Sequence, residues 1–166
     1  AGKVVTWSKT GAGGSIASST STTDANGQAT VGFTTSSVAG TIHTVTGTDN
    51  TSLTGASSNI TTVPGPAAKY IVGANRYNPV AGDTVGIRAQ LADMNNNPVA
   101  TAGIMVTWTK TGAGGSFGSP TSTTDANGAA TVVFTTSTTA GTVYTVTGTD
   151  ATPFTGATPN ITTVPG

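Results

Sequence analysis

The chain has 166 residues, enough for one or two small domains, and its composition is that of a folded protein with few charges. Charged residues make up 7% of the sequence, six basic side chains balance six acidic ones, and 35% of the residues are hydrophobic. This balance excludes a disordered tail, and it excludes a nucleic-acid-binding protein because so few basic residues cannot follow a phosphate backbone.

Cysteine and glutamate are absent, and His43 is the only histidine. Without cysteine the chain forms no disulfides and no thiolate metal sites, which fits export without an oxidative folding step. Residues 1–10 lack the apolar core of a signal peptide, and no stretch of about eighteen apolar residues occurs. We therefore expect any export signal or membrane anchor to lie outside this chain.

The first predicted elements are β-strands, because apolar side chains alternate with polar ones. Val5 and Trp7 alternate with threonine and serine. Val31 and Phe33 likewise lie on either side of Gly32. Between these two strands lies a turn sequence, Asp-Ala-Asn-Gly, that ends at Gly27. No segment has the 3.6-residue period of a helix.

Residues 66–101 supply two further predicted strands and a loop. The first strand is Lys69 to Val72, which is rich in aromatic and β-branched residues. The second is indicated by four apolar residues that alternate with polar residues and glycine, namely Val85, Ile87, Ala89 and Leu91. The segment from Asp93 to Pro98 is predicted to form a turn. Asparagine and aspartate side chains hydrogen-bond to the nearby backbone in turns, and proline ends strand pairing.

The last part of the chain, residues 102–166, repeats residues 1–65 without a gap, with 48 of 65 positions identical. We predict that Trp108 points inward from a third strand, as Trp7 does in the earlier copy. The pair Asn127-Gly128 accepts the positive φ angles of a tight hairpin. The apolar residues that continue the pattern of inward positions are Ala130, Val132, Phe134, Tyr144, Val146 and Ile161.

Residues 1–65 occur a second time and residues 66–101 do not, and this difference indicates where the repeating unit begins. Because residues 66–101 occur once, we predict a partial repeat at 1–65, with later strands only, and a complete repeat at 66–166. The junction is placed at 63–66, where the sequence is Val-Pro-Gly-Pro. We expect the partial repeat not to fold alone. An excerpt of a longer array is favoured over completion by a second chain, since identical chains carry too few early strands.

Six or seven short strands in about a hundred residues, separated by glycine, asparagine and proline turns, predict an all-β fold. The expected architecture is an immunoglobulin-like antiparallel β-sandwich, repeated in tandem.

Several short motifs in the complete repeat occur together in a known family. They are Ala81-Gly82-Asp83, Asn97-Pro98-Val99, Val106-Thr107-Trp108, Thr124 to Ala130 and Ala140-Gly141-Thr142. In combination they resemble the group 1 bacterial Ig-like domain found in the stalks of intimin and invasin. The resemblance implies a tandemly repeated extracellular module that spaces an adhesive tip from the bacterial surface or builds a fibre. It assigns no catalytic residue.

The residues that could carry chemistry are few. An imidazole general base or metal ligand at His43 would be lost in the other copy, where Tyr144 stands, so we expect a core ring. Lys69 and Asn160 are the residue types of an isopeptide crosslink. That reaction also needs a buried carboxylic acid beside the pair, which only an aspartate could supply in a chain without glutamate, so we do not expect the crosslink. We predict no catalytic, cofactor-binding or metal-binding residue.

One alternative concerns a metal ion. Four carboxylates in predicted loops could meet at an end of a module and hold one calcium ion, namely Asp49, Asp83, Asp93 and Asp150. The expected cofactor set is otherwise empty.

The leading hypothesis is a non-catalytic structural module of an extracellular bacterial fibre, sheath or adhesin stalk, in which repetition gives length and spacing. Its partners would be neighbouring copies of the repeat, with no nucleic acid and no small-molecule substrate. The alternative is an adhesive module that recognises a glycan or protein through loop residues, for which the sequence offers Arg76, Tyr77, Arg88 and Phe154. An enzyme is not expected, because one histidine without cysteine or glutamate leaves no acid, base and nucleophile set.

Overall fold

The computed structural model describes all 166 residues, which form eighteen β-strands and no helix. The all-β prediction is confirmed. The chain divides into two compact units, a first unit of Ala1–Pro64 and a second unit of Gly65–Gly166. None of the elements is a helix long and apolar enough to cross a membrane.

The first unit contains eight short strands. They are β1 (Val4–Lys9), β2 (Ser15–Ile16), β3 (Thr20–Thr22), β4 (Phe33–Thr34), β5 (Ile42–His43), β6 (Val45–Asp49), β7 (Thr54–Ala56) and β8 (Ile60–Thr61). One four-stranded antiparallel sheet has the order β3-β1-β6-β7, and β2-β4 and β5-β8 form separate pairs. Only His43 and Thr62 are buried in this unit, so its strands enclose no continuous apolar core.

The second unit contains ten strands. They are β9 (Lys69–Ala74), β10 (Thr84–Ala92), β11 (Met105–Lys110), β12 (Ser116–Phe117), β13 (Thr121–Thr123), β14 (Ala129–Thr135), β15 (Val143–Tyr144), β16 (Val146–Thr149), β17 (Thr155–Ala157) and β18 (Ile161–Thr162). Two four-stranded sheets have the orders β12-β14-β10-β9 and β13-β11-β16-β17, and β15 pairs with β18. We call β9 and β10 the early strands, since they have no counterpart in the first unit.

The core of the second unit lies between its two sheets. In β11 the buried residues Val106 and Trp108 alternate with exposed threonines, and in β10 Val85 and Ile87 point inward in the same way. Side chains of both sheets belong to one apolar cluster, in which Phe134 is fully buried. This arrangement of two antiparallel sheets around a shared core is the immunoglobulin-like sandwich that the sequence predicts.

The turn before β14 differs from the expected tight hairpin. Gly128 has a φ of +75°, but Asn127 does not have a positive φ. The flanking strands do not pair with each other, because β13 bonds to β11 in one sheet and β14 bonds to β10 in the other. The Asp-Ala-Asn-Gly sequence therefore carries the chain from one sheet to the other. The backbone amide of Gly128 donates to the carbonyl of Asp125 at 2.9 Å and closes the turn.

Candidate functional site

His43 is one of the two buried residues of the first unit. The backbone amide of Ser36 donates to Nε2 at 3.4 Å, so Nδ1 carries the proton and donates to the carbonyl of Thr10 at 3.0 Å. The ring also packs edge-on against Phe33, with 5.1 Å between centroids. Both ring nitrogens are engaged with backbone groups and the side chain is inaccessible, so the imidazole is not placed to act on a substrate.

Tyr144 fills the same position in the second unit and uses the same kind of contacts. Its hydroxyl accepts from the backbone amide of Ser137 at 2.9 Å and donates to the carbonyl of Ala113 at 2.9 Å. The ring packs edge-on against Phe134, with 4.9 Å between centroids. Both rings are buried and join the segment after β4 or β14 to the segment after β1 or β11, which explains why histidine and tyrosine exchange between the copies.

Most of the carboxylates accept hydrogen bonds from their own loops. Asp93 accepts from the side-chain amide of Asn97 at 2.8 Å and from three backbone amides, one of them that of Gly65 at 2.9 Å. The bond from the Asn97 side chain, followed by those from the backbone, lowers the pKa of Asp93 to about 2, against the opposing effect of burial. Asp93 is therefore an ionised anchor for the loop that follows β10.

Asp150 accepts from an early strand as well as from its own loop. The buried hydroxyl of Tyr70 in β9 donates to Asp150 Oδ2 at 3.0 Å, and the Thr152 and Phe154 amides donate to Oδ1 at 2.8 and 3.0 Å. Burial and the Asp150 carboxylate raise the pKa of Tyr70. Burial opposes ionisation of Asp150, but the hydrogen bonds from Thr152 and Tyr70 outweigh it and lower its pKa.

Asp83 pairs with Arg76 at 2.9 Å. No group of three or more histidine, cysteine or acidic side chains is placed to hold a metal ion. The calcium alternative stays a prediction, and three of its four carboxylates, those of Asp83, Asp93 and Asp150, make the contacts just described.

The two tryptophans sit in matched surroundings. Trp108 is buried, and its indole nitrogen donates to the hydroxyl of Ser122 at 2.9 Å. Trp7 makes the same bond to Ser21 at 2.9 Å, but its ring is only half-buried. Each ring faces inward beside a glycine of the neighbouring strand, which favours core packing over sugar binding.

The residues available to the adhesive alternative do not form one cluster. Arg76 and Tyr77 follow the end of β9, and Arg76 is paired with Asp83. Phe154 lines a depression with Ala67, a residue that precedes the start of β9. The six residues of β9 separate these two places by about 20 Å, since each residue of a strand advances about 3.3 Å.

The β12-β14-β10-β9 sheet borders two shallow depressions of about 490 and 500 Å³, the first of which extends to Thr121 and Ser122 of β13 in the other sheet. Gly86 and Arg88 border both of them, and the exposed side chains of Ile71 and Val133 flank them. Arg88 is the only ionisable side chain at either depression. This surface offers apolar contacts and hydrogen bonds, but it lacks the paired acid and base groups that proton transfer requires.

Lys69 and Asn160 bond to different parts of the second unit. The amine of Lys69 donates to the carbonyl of Met94 at 3.3 Å, and the side-chain oxygen of Asn160 accepts from the hydroxyl of Thr145 at 3.3 Å. The absence of a crosslink between them stays a prediction.

The two sheets, the shared core and the absence of any helix define the second unit as an immunoglobulin-like sandwich. The strands of the first unit match those of residues 102–166 in order. The D00–D0 domains of intimin have a similar structure, with a TM-score of 0.60 and 16% identity over 96% of this chain and 84% of that chain. The adhesin InvE of Yersinia pseudotuberculosis matches with a TM-score of 0.50 and 18% identity, over 98% of this chain and 49% of that one.

The same fold also occurs inside larger proteins of other classes. A glycosyl hydrolase family 2 member from Bacteroides cellulosilyticus matches with a TM-score of 0.51 and 17% identity, over 96% of this chain and 21% of that chain. No protein-family model and no curated protein sequence matches the chain. At these identities the similarity shows the fold, and at that level the resemblance to intimin-type Ig-like domains is confirmed.

Proposed function

We propose that the chain is a non-catalytic structural module of an extracellular bacterial fibre, sheath or adhesin stalk. In this role the domain provides length and spacing, and tandem repetition of one domain increases both. The partners are neighbouring copies of the same repeat, and the module works without a resident cofactor.

The observation that carries this proposal is the internal duplication itself. Residues 102–166 repeat residues 1–65 at 48 of 65 positions, and both copies form matching strands. Seven of the eight strands of the first unit have a counterpart of nearly the same length at an offset of 101, from β1 and β11 to β8 and β18. An enzyme needs one arrangement of reactive groups, whereas a spacer gains from every further copy.

The similarity in fold to intimin and to the adhesin InvE supports this function. It also supports a location on the bacterial surface. The chemistry of the side chains agrees, since the one histidine is buried and most of the carboxylates bind loop amides or a loop hydroxyl.

A second candidate function is adhesive binding of a glycan or a protein. The specific observation that favours it is the outer face of the second unit, where Arg88 stands between two depressions bordered by Ile71 and Val133. The loop residues suggested by the sequence favour it less, because Phe154 lies far from Arg76.

Electron microscopy of the native material tests the structural function. A sandwich whose longest strand has nine residues advances a rod by about 30 to 45 Å, at about 3.3 Å per residue. We expect filaments or stalks with density that repeats at this spacing, once for every 101-residue unit. Isolated particles without an axial repeat would contradict the proposal and would favour the adhesive alternative.

A further inference from the structure

The last strand of the second unit is bonded on both of its sides. On one side it pairs with β15, where the Thr163 amide donates to the carbonyl of Thr142 at 3.0 Å and the Gly141 amide donates to the carbonyl of Thr163 at 2.7 Å. On the other side lie residues 77–81, which follow β9. The fold therefore places a segment from the start of the second unit beside the segment at its end.

These two segments run in the same direction. The bridge between Val80 and Val164 is parallel, whereas every pair of named strands is antiparallel. Three backbone hydrogen bonds join the segments, namely the Thr162 amide to the Tyr77 carbonyl at 2.8 Å, the Val164 amide to the Pro79 carbonyl at 2.9 Å and the Ala81 amide to the Val164 carbonyl at 2.9 Å. We call residues 77–81 and 162–164, joined by these bonds, the terminal clamp.

A pull along the chain acts on opposite ends of the terminal clamp. The chain enters residues 77–81 from β9 and leaves residues 162–164 towards Gly166. Because the two segments are parallel, tension draws them past each other, and the three bonds carry the load at the same time. If the pull acted on two ends that lie side by side, the bonds would break one after another, and each would carry the whole load in turn.

Buried side chains hold the register of the terminal clamp. Ile161 and Thr163 alternate with the bonded residues of the last segment and are fully buried, as is Pro79 in the first segment. The hydroxyl of Thr163 also donates to the carbonyl of Thr139 at 2.8 Å. A slip of one residue would turn buried side chains outward, so the segments resist sliding until their bonds and contacts break together.

We propose that the terminal clamp sets the force at which the second unit unfolds when the chain is under tension. Residues 66–76 can detach from β10 first, but the rest of the unit stays folded while the clamp holds. Forced unfolding follows the unfolding rate and not the equilibrium stability, so it depends on the contacts that must break on the way to the transition state. The inference rests on the proposed function, because a stalk or a fibre carries tension along its chain.

Single-molecule force spectroscopy of the whole chain, pulled in two directions, tests the proposal. The chain has no cysteine, so engineered cysteines are unique points of attachment. Pro64→Cys, together with a cysteine added after Gly166, loads the terminal clamp in shear because the pull follows the chain.

Thr138→Cys, with the same added cysteine, loads the terminal clamp from one end. Thr138 is exposed and follows Ser137, whose carbonyl accepts from the amide of Gly82, just after the clamp, at 2.9 Å. This pull separates the two segments bond by bond. We expect the unfolding force in the first direction to be at least about twice that in the second. Equal forces in the two directions would overturn the proposal.

One substitution removes a bond of the terminal clamp and keeps the adjoining turn. The Asp83 amide donates to the carbonyl of Val80 at 3.0 Å and Gly82 has a φ of +91°, which is the geometry of a type II turn. The second position of such a turn, here Ala81, favours proline. Ala81→Pro therefore fits the turn but cannot donate to Val164. With one of the three bonds lost, we expect the unfolding force along the chain to fall by about a third.

The matched control loses one hydrogen bond outside the terminal clamp. Ser122→Ala removes the acceptor of the Trp108 indole nitrogen, a bond of 2.9 Å. Urea unfolding should show similar losses of stability for Ser122→Ala and Ala81→Pro, but only Ala81→Pro should lower the unfolding force along the chain. Equal falls in force for the two variants would overturn the proposal, since the force would then follow overall stability.

A third variant controls for proline itself. Ala126 is the second residue of the turn that the Gly128 amide closes on the carbonyl of Asp125. Ala126→Pro lies outside the terminal clamp and should leave the unfolding force unchanged, and a fall as large as that of Ala81→Pro would contradict the proposal. Circular dichroism checks that Ala81→Pro is folded. If it is not, the comparison of the two pulling directions decides, because it leaves the clamp unaltered.

The proposal and the proposed function can fail separately. An unfolding force that does not depend on the pulling direction would leave an axial repeat in micrographs unaffected. Micrographs without a repeat would leave the directional difference in force unaffected.

Discussion

At the scale of single residues, the same phenylalanine occurs in two environments. Phe134 is fully buried among the side chains of both sheets, whereas Phe33 is half-buried. We expect Phe134→Ala to cost about 3–5 kcal/mol of unfolding free energy, and Phe33→Ala to cost clearly less. Urea unfolding of the two variants checks this difference. Equal losses would show that the first unit has a closed core.

Acid should weaken the second unit through Asp93. Its folded pKa of about 2 lies below the ordinary value of 3.8, so ionisation contributes stability above about pH 4. That contribution is lost as the pH falls through the range from about 4 to 2. We expect the melting temperature to be nearly flat from pH 5 to 8 and to fall below pH 4.

The matched variant is Asp93→Asn, which replaces an acceptor oxygen with an amide facing the donors of Asn97 and Gly65. Its melting temperature should lie below that of the unchanged chain at pH 7, and the difference should shrink towards pH 2. A constant difference across this range would assign the loss to packing and not to the charge of Asp93.

At the scale of elements, the early strands decide where a side chain fits. Gly156→Ala places a methyl group 2.0 Å from a backbone oxygen of β9, so we expect a loss of about 1–3 kcal/mol as the strands move apart. Gly55→Ala meets no neighbour and should change stability by less than about 0.5 kcal/mol. Thermal unfolding of both variants measures the contrast. A similar loss for both would mean that the first unit holds a strand at this position.

Alternation of apolar residues was sufficient to predict most strands of the second unit and the inward direction of Val106 and Trp108. It could not predict that β13 and β14 belong to different sheets, because strand pairing depends on residues far away in sequence. The short length of β4 could not be predicted from the sequence for the same reason, since the local sequence nearly matches that of β14. The contact of Tyr70 with Asp150 joins residues eighty positions apart, and no local pattern marks it.

At the scale of the whole molecule, we expect folding to need no metal ion. Asp83 is paired with Arg76 and Asp93 binds loop amides, and no three acidic side chains converge. We expect EDTA and added calcium each to leave the melting temperature within about 1 °C, measured by calorimetry. A rise of several degrees with calcium would support the alternative in which loop carboxylates share one ion.

The chain holds a closed sandwich in the second unit and a first unit of nearly the same sequence in which the matching side chains are half-buried. Amide hydrogen exchange of the whole chain, compared position by position at an offset of 101, measures this directly. We expect residues 129–134 to exchange slowly, protected by pairing with β10, and residues 28–33 to exchange at least a hundredfold faster. Equal protection of the two segments would contradict the account, because it would show that the first unit closes without early strands.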